Sequence, residues 1–131
     1  MYPPTLTFNG PSKSILIVDD NGVILDLLAV MFEKYGFKVF KAENGLDGWN
    51  LFKNKDIDFV LTDLMMPGLN GQELSTRIRK QAPFVKIGMM TGGETDFAAG
   101  LLKDWRVDYF FTKPFDIKNV CMMLTEEAPA A

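Results

Sequence analysis

Four short stretches of this chain carry side chains suited to phosphate and a divalent metal: Asp19-Asp20-Asn21, Asp63, Thr91-Gly92-Gly93 and Thr112-Lys113-Pro114. Gathered in one place, the carboxylates of Asp19, Asp20 and Asp63 would repel one another. Two unit charges about 4 Å apart cost roughly 4 kcal/mol at an effective dielectric near 20. Lys113 alone cannot balance that. A hard divalent cation can, and carboxylate oxygens with retained waters suit magnesium better than zinc or copper. Magnesium held by few protein ligands keeps positions open for phosphate oxygens. A carboxylate such as Asp63 can attack phosphorus and form an acyl phosphate. The metal and Lys113 would offset charge on the transferring oxygens, with one hydrogen bond donated by the Thr91 hydroxyl. Gly92 and Gly93 place no side chains over such a site.

The rest of the composition narrows the chemistry. No histidine occurs among the 131 residues, which removes Ser-His-Asp and Cys-His catalysis, imidazole metal sites and phosphohistidine chemistry within this polypeptide. Apolar residues make up 47% and charged residues 24%, as in one soluble globular domain. The formal net charge of −3 offers nucleic acid no basic surface, so no direct nucleic-acid binding is expected. Cys121 has no disulfide partner and reads as core filler. Met1 to Asn9 lacks the basic start and apolar run of a signal peptide, and no run is long enough to span a bilayer; a cytoplasmic protein without membrane contact is expected.

Positioning these groups falls to alternating strands and helices. Residues 1–12, rich in proline and glycine, read as a flexible leader, residues 13–126 as one domain and 127–131 as a tail. Strands are predicted at 14–18, 37–41, 58–62, 85–90 and 107–111. Ile24, Leu27, Leu28 and Met31 predict one face of the first helix, which Gly36 ends. A second helix starts at Asn44 and is expected to bury Leu46 and Trp49. A third follows Gly71 with Leu74 and Ile78 inward and stops before Pro83. A fourth is expected over about 95–103 with Phe97, Leu101 and Trp105 as its stripe. The last carries Ile117, Val120, Cys121 and Leu124. Such alternation predicts an α/β fold, flavodoxin-like, with a five-stranded parallel sheet and helices on both faces; if strand one sits beside strand three, the order expected is 2-1-3-4-5. Ligands of such sheets lie at the carboxyl ends of the strands, where all four stretches fall.

Asp19-Asp20, Asp63-Leu64-Met65-Met66-Pro67 with Gly71, Thr91, and Phe110-Phe111-Thr112-Lys113-Pro114-Phe115 together resemble the receiver domains of two-component response regulators. The resemblance covers roughly residues 13–126. It implies that Asp63 is the phosphoacceptor, that Asp20 binds magnesium directly and Asp19 largely through water, and that the backbone carbonyl of Met65 is a further ligand. Lys113 would bridge to the phosphate, with the Lys113–Pro114 peptide cis. Thr91 would move toward the phosphate and Phe110 would turn inward behind it, altering an output face made by the helix near 95–103, the fifth strand and the last helix. The implied partners are a sensor histidine kinase or histidine phosphotransfer protein as donor, and a downstream output protein or domain. A homodimer formed on phosphorylation is one form that output can take. No output region follows the last helix, as in a stand-alone receiver or a piece of a longer protein.

Each residue also has a plainer reading. Asp19 and Asp20 suit turns and helix caps, Thr91-Gly92-Gly93 suits a turn, and Phe110 suits a core. Departures from the family pattern are Arg106, where glycine is frequent, Phe110 in place of tyrosine, and apolar Met65 two residues beyond the phosphoacceptor. Among other functions, a haloacid-dehalogenase-type phosphohydrolase would need its nucleophile after strand one in an Asp-x-Asp pattern and a cap insertion. Asp19-Asp20-Asn21-Gly22 does not match. A receiver that binds partners without phosphorylation would not need the full acidic set, and a flavodoxin-like cofactor binder would need Ser, Thr or Gly after strand one.

Overall fold

Strand β1 (Ser14–Val18) has no hydrophilic face: all five of its residues are buried, as the centre of a sheet covered on both sides demands. The structure, a computed structural model, describes residues 13–92 and 106–125. The expected leader 1–12, the helix near 95–103 with Phe97, Leu101 and Trp105, Gly93, the side chain of Leu124 and the tail lie outside what it describes.

β1 pairs in parallel with β2 (Lys38–Ala42) on one side and β3 (Phe59–Asp63) on the other; β4 (Lys86–Thr91) and β5 (Tyr109–Thr112) follow. The order is β2-β1-β3-β4-β5, as the alternation of elements predicts. Among the described residues four helices pack on it: α1 (Gly22–Lys34), α2 (Gly45–Asn54), α3 (Gly71–Gln81) and α4 (Ile117–Thr125). Alternate residues of β1 serve opposite faces. Ile15 and Ile17 join Leu28 and Phe32 of α1 and Val120 of α4, while Leu16 and Val18 join Phe52 of α2 and Leu74 and Ile78 of α3.

Two helix faces differ from expectation. The buried stripe of α1 is Leu25, Leu28, Ala29 and Phe32, and Leu27 is 58% exposed. Both stripes have the i, i+3, i+4, i+7 spacing, so periodicity alone could not choose between them. In α2 the inward positions are Gly45, Gly48 and Phe52, with Trp49 only half-buried and Leu46 57% exposed. A Cβ on Gly48 would stand 2.9 Å from Val18 Cγ2, so glycines occupy the first turns of the inner face, Phe52 fills it further along, and Leu46 lies outside it.

Three of the later strands start one residue after the predicted position and β5 two after, because the residues ahead of them are apolar without joining the ladder. Phe37, Val85 and Val107 are buried in this way. Asp58 instead accepts the Ser14 N–H through its carboxylate at 2.9 Å. Ahead of β5, Arg106 holds a left-handed φ of 59°, a conformation glycine adopts readily. Its carbonyl accepts from Arg79 Nε at 3.0 Å, and Arg79 also pairs with Asp108 at 2.9 Å, which holds that turn in place.

Candidate functional site

β1 and β3 are neighbours, so their carboxyl ends bring Asp19, Asp20 and Asp63 together. One carboxylate oxygen from each lies within 4.8 Å of the others. Asp19 is fully buried, Asp20 exposed and Asp63 between the two. The Asp19 N–H donates to the Ala42 carbonyl at 3.2 Å, extending the β1–β2 ladder one residue past β1. Its side chain accepts the Asn21 N–H at 2.9 Å, and Asn21 caps α1 by accepting from the N–H groups of Val23 and Ile24. The Asn21 cap thus braces the acidic turn as well as starting the helix.

Lys113 reaches in from the end of β5. Its Nζ is 3.0 Å from Asp19 Oδ2 and 3.6 Å from Asp63 Oδ2. The Lys113 N–H donates to the Thr91 carbonyl at 2.8 Å, and the Lys113–Pro114 peptide is cis. Thr91 ends β4 at 1% exposure, beside Thr112 in register. Gly92 follows it, with no atom of the described residues within 4 Å of where a side chain would stand. Phe110 lies in β5 opposite Met89, half-buried against the cluster under α2 and α3. Met65 is 66% exposed, between buried Leu64 and Met66. Strand β2 stays aside, where Lys41 pairs with Asp26 at 2.8 Å.

Among the described residues one lysine faces three carboxylates, and Asp63 has its carboxyl held above its ordinary range. Burial is the main cause, repulsion from Asp19 and Asp20 adds to it, and Lys113 opposes it. An all-oxygen donor set with surplus negative charge fits a hard divalent cation such as magnesium. Cys121, on the buried face of α4, has its thiol pushed up to about 12 chiefly by burial, which leaves it inert as a nucleophile or redox group.

A raised acid adds stability only while protonated: its contribution is full below the unfolded carboxylate range and lost as pH rises through the folded value. Ionised Asp63 therefore costs stability at neutral pH without metal. Asp63→Asn is expected to raise metal-free stability at pH 7, with the gap closing as pH falls through the raised folded value and closed below the unfolded carboxylate range, about 4. Thermal melts across pH check this, and a variant less stable than wild type at pH 7 would contradict the charge crowding.

Sequence reasoning quoted Gly71 but missed what it does. A Cβ there would overlap the Asp63 carbonyl and stand 2.8 Å from the Met89 sulfur and 2.9 Å from Leu64 Cα. The first residue of α3 is thus pressed against the backbone of Asp63. The Gly71 N–H donates to the Leu64 carbonyl at 3.0 Å, and Asn70 and Glu73 form a reciprocal capping box. The only trace in sequence is a glycine just after a capping asparagine.

The profile of the response regulator receiver domain matches residues 15–125. Protein PilH of Pseudomonas aeruginosa is 42% identical over 106 residues, covering 78% of this chain and 86% of PilH. A probable transcriptional regulatory protein of Picosynechococcus is 33% identical over 81% of this chain, which spans only 45% of that protein. The solved structure of response regulator protein TrrA from Thermotoga maritima, in complex with Mg(2+)-BeF, is 31% identical with a TM-score of 0.74, over 82% of this chain and 92% of TrrA. Among the described residues no helix is long and apolar enough to cross a membrane.

Proposed function

This chain belongs to the response regulator receiver domain family of two-component signalling, and from that premise we propose that it is a phosphoacceptor switch whose acceptor is Asp63. The observation that carries the reading is the acidic trio within 4.8 Å, faced by the ammonium of Lys113. Asp19, Asp20, Asp63 and the Met65 carbonyl are the groups that would hold magnesium. When bound, the metal supplies positive charge beside the transferring oxygens.

A carboxylate oxygen of Asp63 attacks phosphorus of a phosphohistidine on a partner; the new P–O bond forms as the P–N bond breaks and its electron pair returns to the donor imidazole. With no histidine in this chain, that imidazole belongs to a sensor histidine kinase or a histidine phosphotransfer protein. Lys113 neutralises charge on the phosphoryl oxygens from its position 3.6 Å from Asp63. Thr91, buried at the end of β4, would move its hydroxyl toward the new group. Phe110 then turns inward, and the surface around β5 and α4 presents the change to an output protein or domain in the cytoplasm. A homodimer through that surface is one such output. The protein is a signalling domain rather than an enzyme with its own substrate turnover.

Incubation with magnesium and phosphoramidate, followed by intact-mass measurement, tests the reading. One phosphoryl adduct per chain supports it, whereas steady turnover of added phosphate esters would replace it with a phosphohydrolase.

The lifetime of that adduct depends on how water reaches it. Exposed Met65 holds an apolar side chain where a polar one could orient the attacking water. Met65→Asn is therefore expected to speed dephosphorylation, by roughly tenfold at most since positioning water is weaker than full general-base help. Decay of the mass adduct measures this, and a slower variant would refute it.

A further inference from the structure

The loop between β3 and α3 is clamped at both ends by glycines from different elements. Gly71 closes one end against Asp63; the other end is met by Gly45, the first residue of α2, more than twenty positions earlier in the chain. A Cβ on Gly45 would overlap the Leu69 carbonyl and stand 2.9 Å from Leu69 Cβ and 3.0 Å from its carbonyl carbon. These neighbours are chiefly backbone, which cannot rotate aside as a side-chain tip can. Between the clamps, Leu64 and Met66 are buried, so the loop has little freedom to take up a displacement.

We propose that Gly45 is a positioning residue for the metal site: the N-terminus of α2 sets the path of residues 65–69, and with it the Met65 carbonyl. The inference rests on the magnesium-dependent reading above, and it adds α2 to the elements that feel the state of the site. Glycine weakens a helix interior and is tolerated at this first turn because Asn44 caps it, accepting the Asp47 N–H at 2.8 Å. Gly48 supplies the contrast. It lies on the same inner face of α2, but a Cβ there meets the side chain of Val18, away from the loop.

Magnesium affinity measured by calorimetry on Gly45→Ala and Gly48→Ala separates positioning from simple loss of packing. Gly45→Ala is expected to weaken magnesium binding by at least about tenfold, as removal of supporting groups around metal ligands does. Gly48→Ala is expected to lower the melting temperature with magnesium affinity unchanged. Equal affinity in folded Gly45→Ala and wild type would overturn the proposal. Absence of magnesium binding in wild type would instead overturn the reading on which it rests. Should Gly45→Ala fail to fold, Trp105→Phe leaves Trp49 of α2 as the single tryptophan reporter. Emission that follows magnesium saturation supports the coupling, and emission unchanged while calorimetry records binding overturns it.

Discussion

Replacing Asp63 with asparagine is expected to abolish the phosphoryl adduct formed with magnesium and phosphoramidate, a loss of more than about a hundredfold in rate at matched protein concentration. The amide oxygen keeps the shape of the side chain but is a far poorer nucleophile toward phosphorus. Neither neighbour replaces it. Asp19 is fully buried, with one oxygen held by Lys113 and the other by the Asn21 N–H. Asp20 is exposed, and among the described residues no lysine contact to it matches the reach of Lys113 toward Asp63. The same variant is expected to be more stable than wild type without metal, so loss of the adduct cannot be ascribed to unfolding. An adduct of undiminished yield, mapped by peptide mass to Asp20, would remove Asp63 from the acceptor role.

That expectation depends on groups recognisable in sequence because chemistry restricts them to a few residue types at strand ends. Asp19, Asp63, Thr91 and Lys113 each follow or close a short apolar run, and the strand order places those ends side by side. Only side-chain identity and the alternation of elements were needed. The burial of α1 was harder to read, since Val23, Leu27 and Val30 make its outer surface apolar too. In α2 two of the three inward residues are glycines, so a search for large apolar residues in its first turn selects Leu46, which faces outward. Strand starts were misplaced where buried residues such as Phe37 precede the ladder. In each case the deciding quantity is a contact with a distant segment, which local periodicity does not contain.

The supports of the fold and of the site were the least legible part. At the amino end of the sheet, Arg79 reaches the carbonyls of Pro83, Val85 and Arg106 and the carboxylate of Asp108, a set assembled only once the end of α3 meets the turn ahead of β5. Gly45 against Leu69 and Gly71 against Asp63 are contacts between backbones. A glycine in sequence carries no sign of whether it is there for a turn or for close approach. Gly36 and Gly68 take positive φ; Gly71 does not, and its reason is space.

That distinction between space and conformation yields the second large effect. Gly71→Ala is expected to cost about 3 kcal/mol, the upper part of the usual range for overpacking, and to lower the melting temperature by roughly 10 °C. The added methyl meets the Asp63 carbonyl and Leu64 Cα, which are main chain, so relief requires α3 or the end of β3 to shift. Either shift moves Asp63 relative to Lys113. A displacement near 1 Å at a reacting group costs about a hundredfold in rate, so adduct formation should slow by that order even in the fraction that remains folded. Gly68→Ala is the internal control. Gly68 has a φ of 75° and nothing within 4 Å of a built Cβ, so alanine there brings only backbone strain, about 1 kcal/mol, with Asp63 left in place. Melting curves and adduct rates on the two variants separate the effects: a Gly71→Ala protein as stable and as quickly phosphorylated as Gly68→Ala would mean that the tight seat beneath Asp63 does not set the acceptor's position.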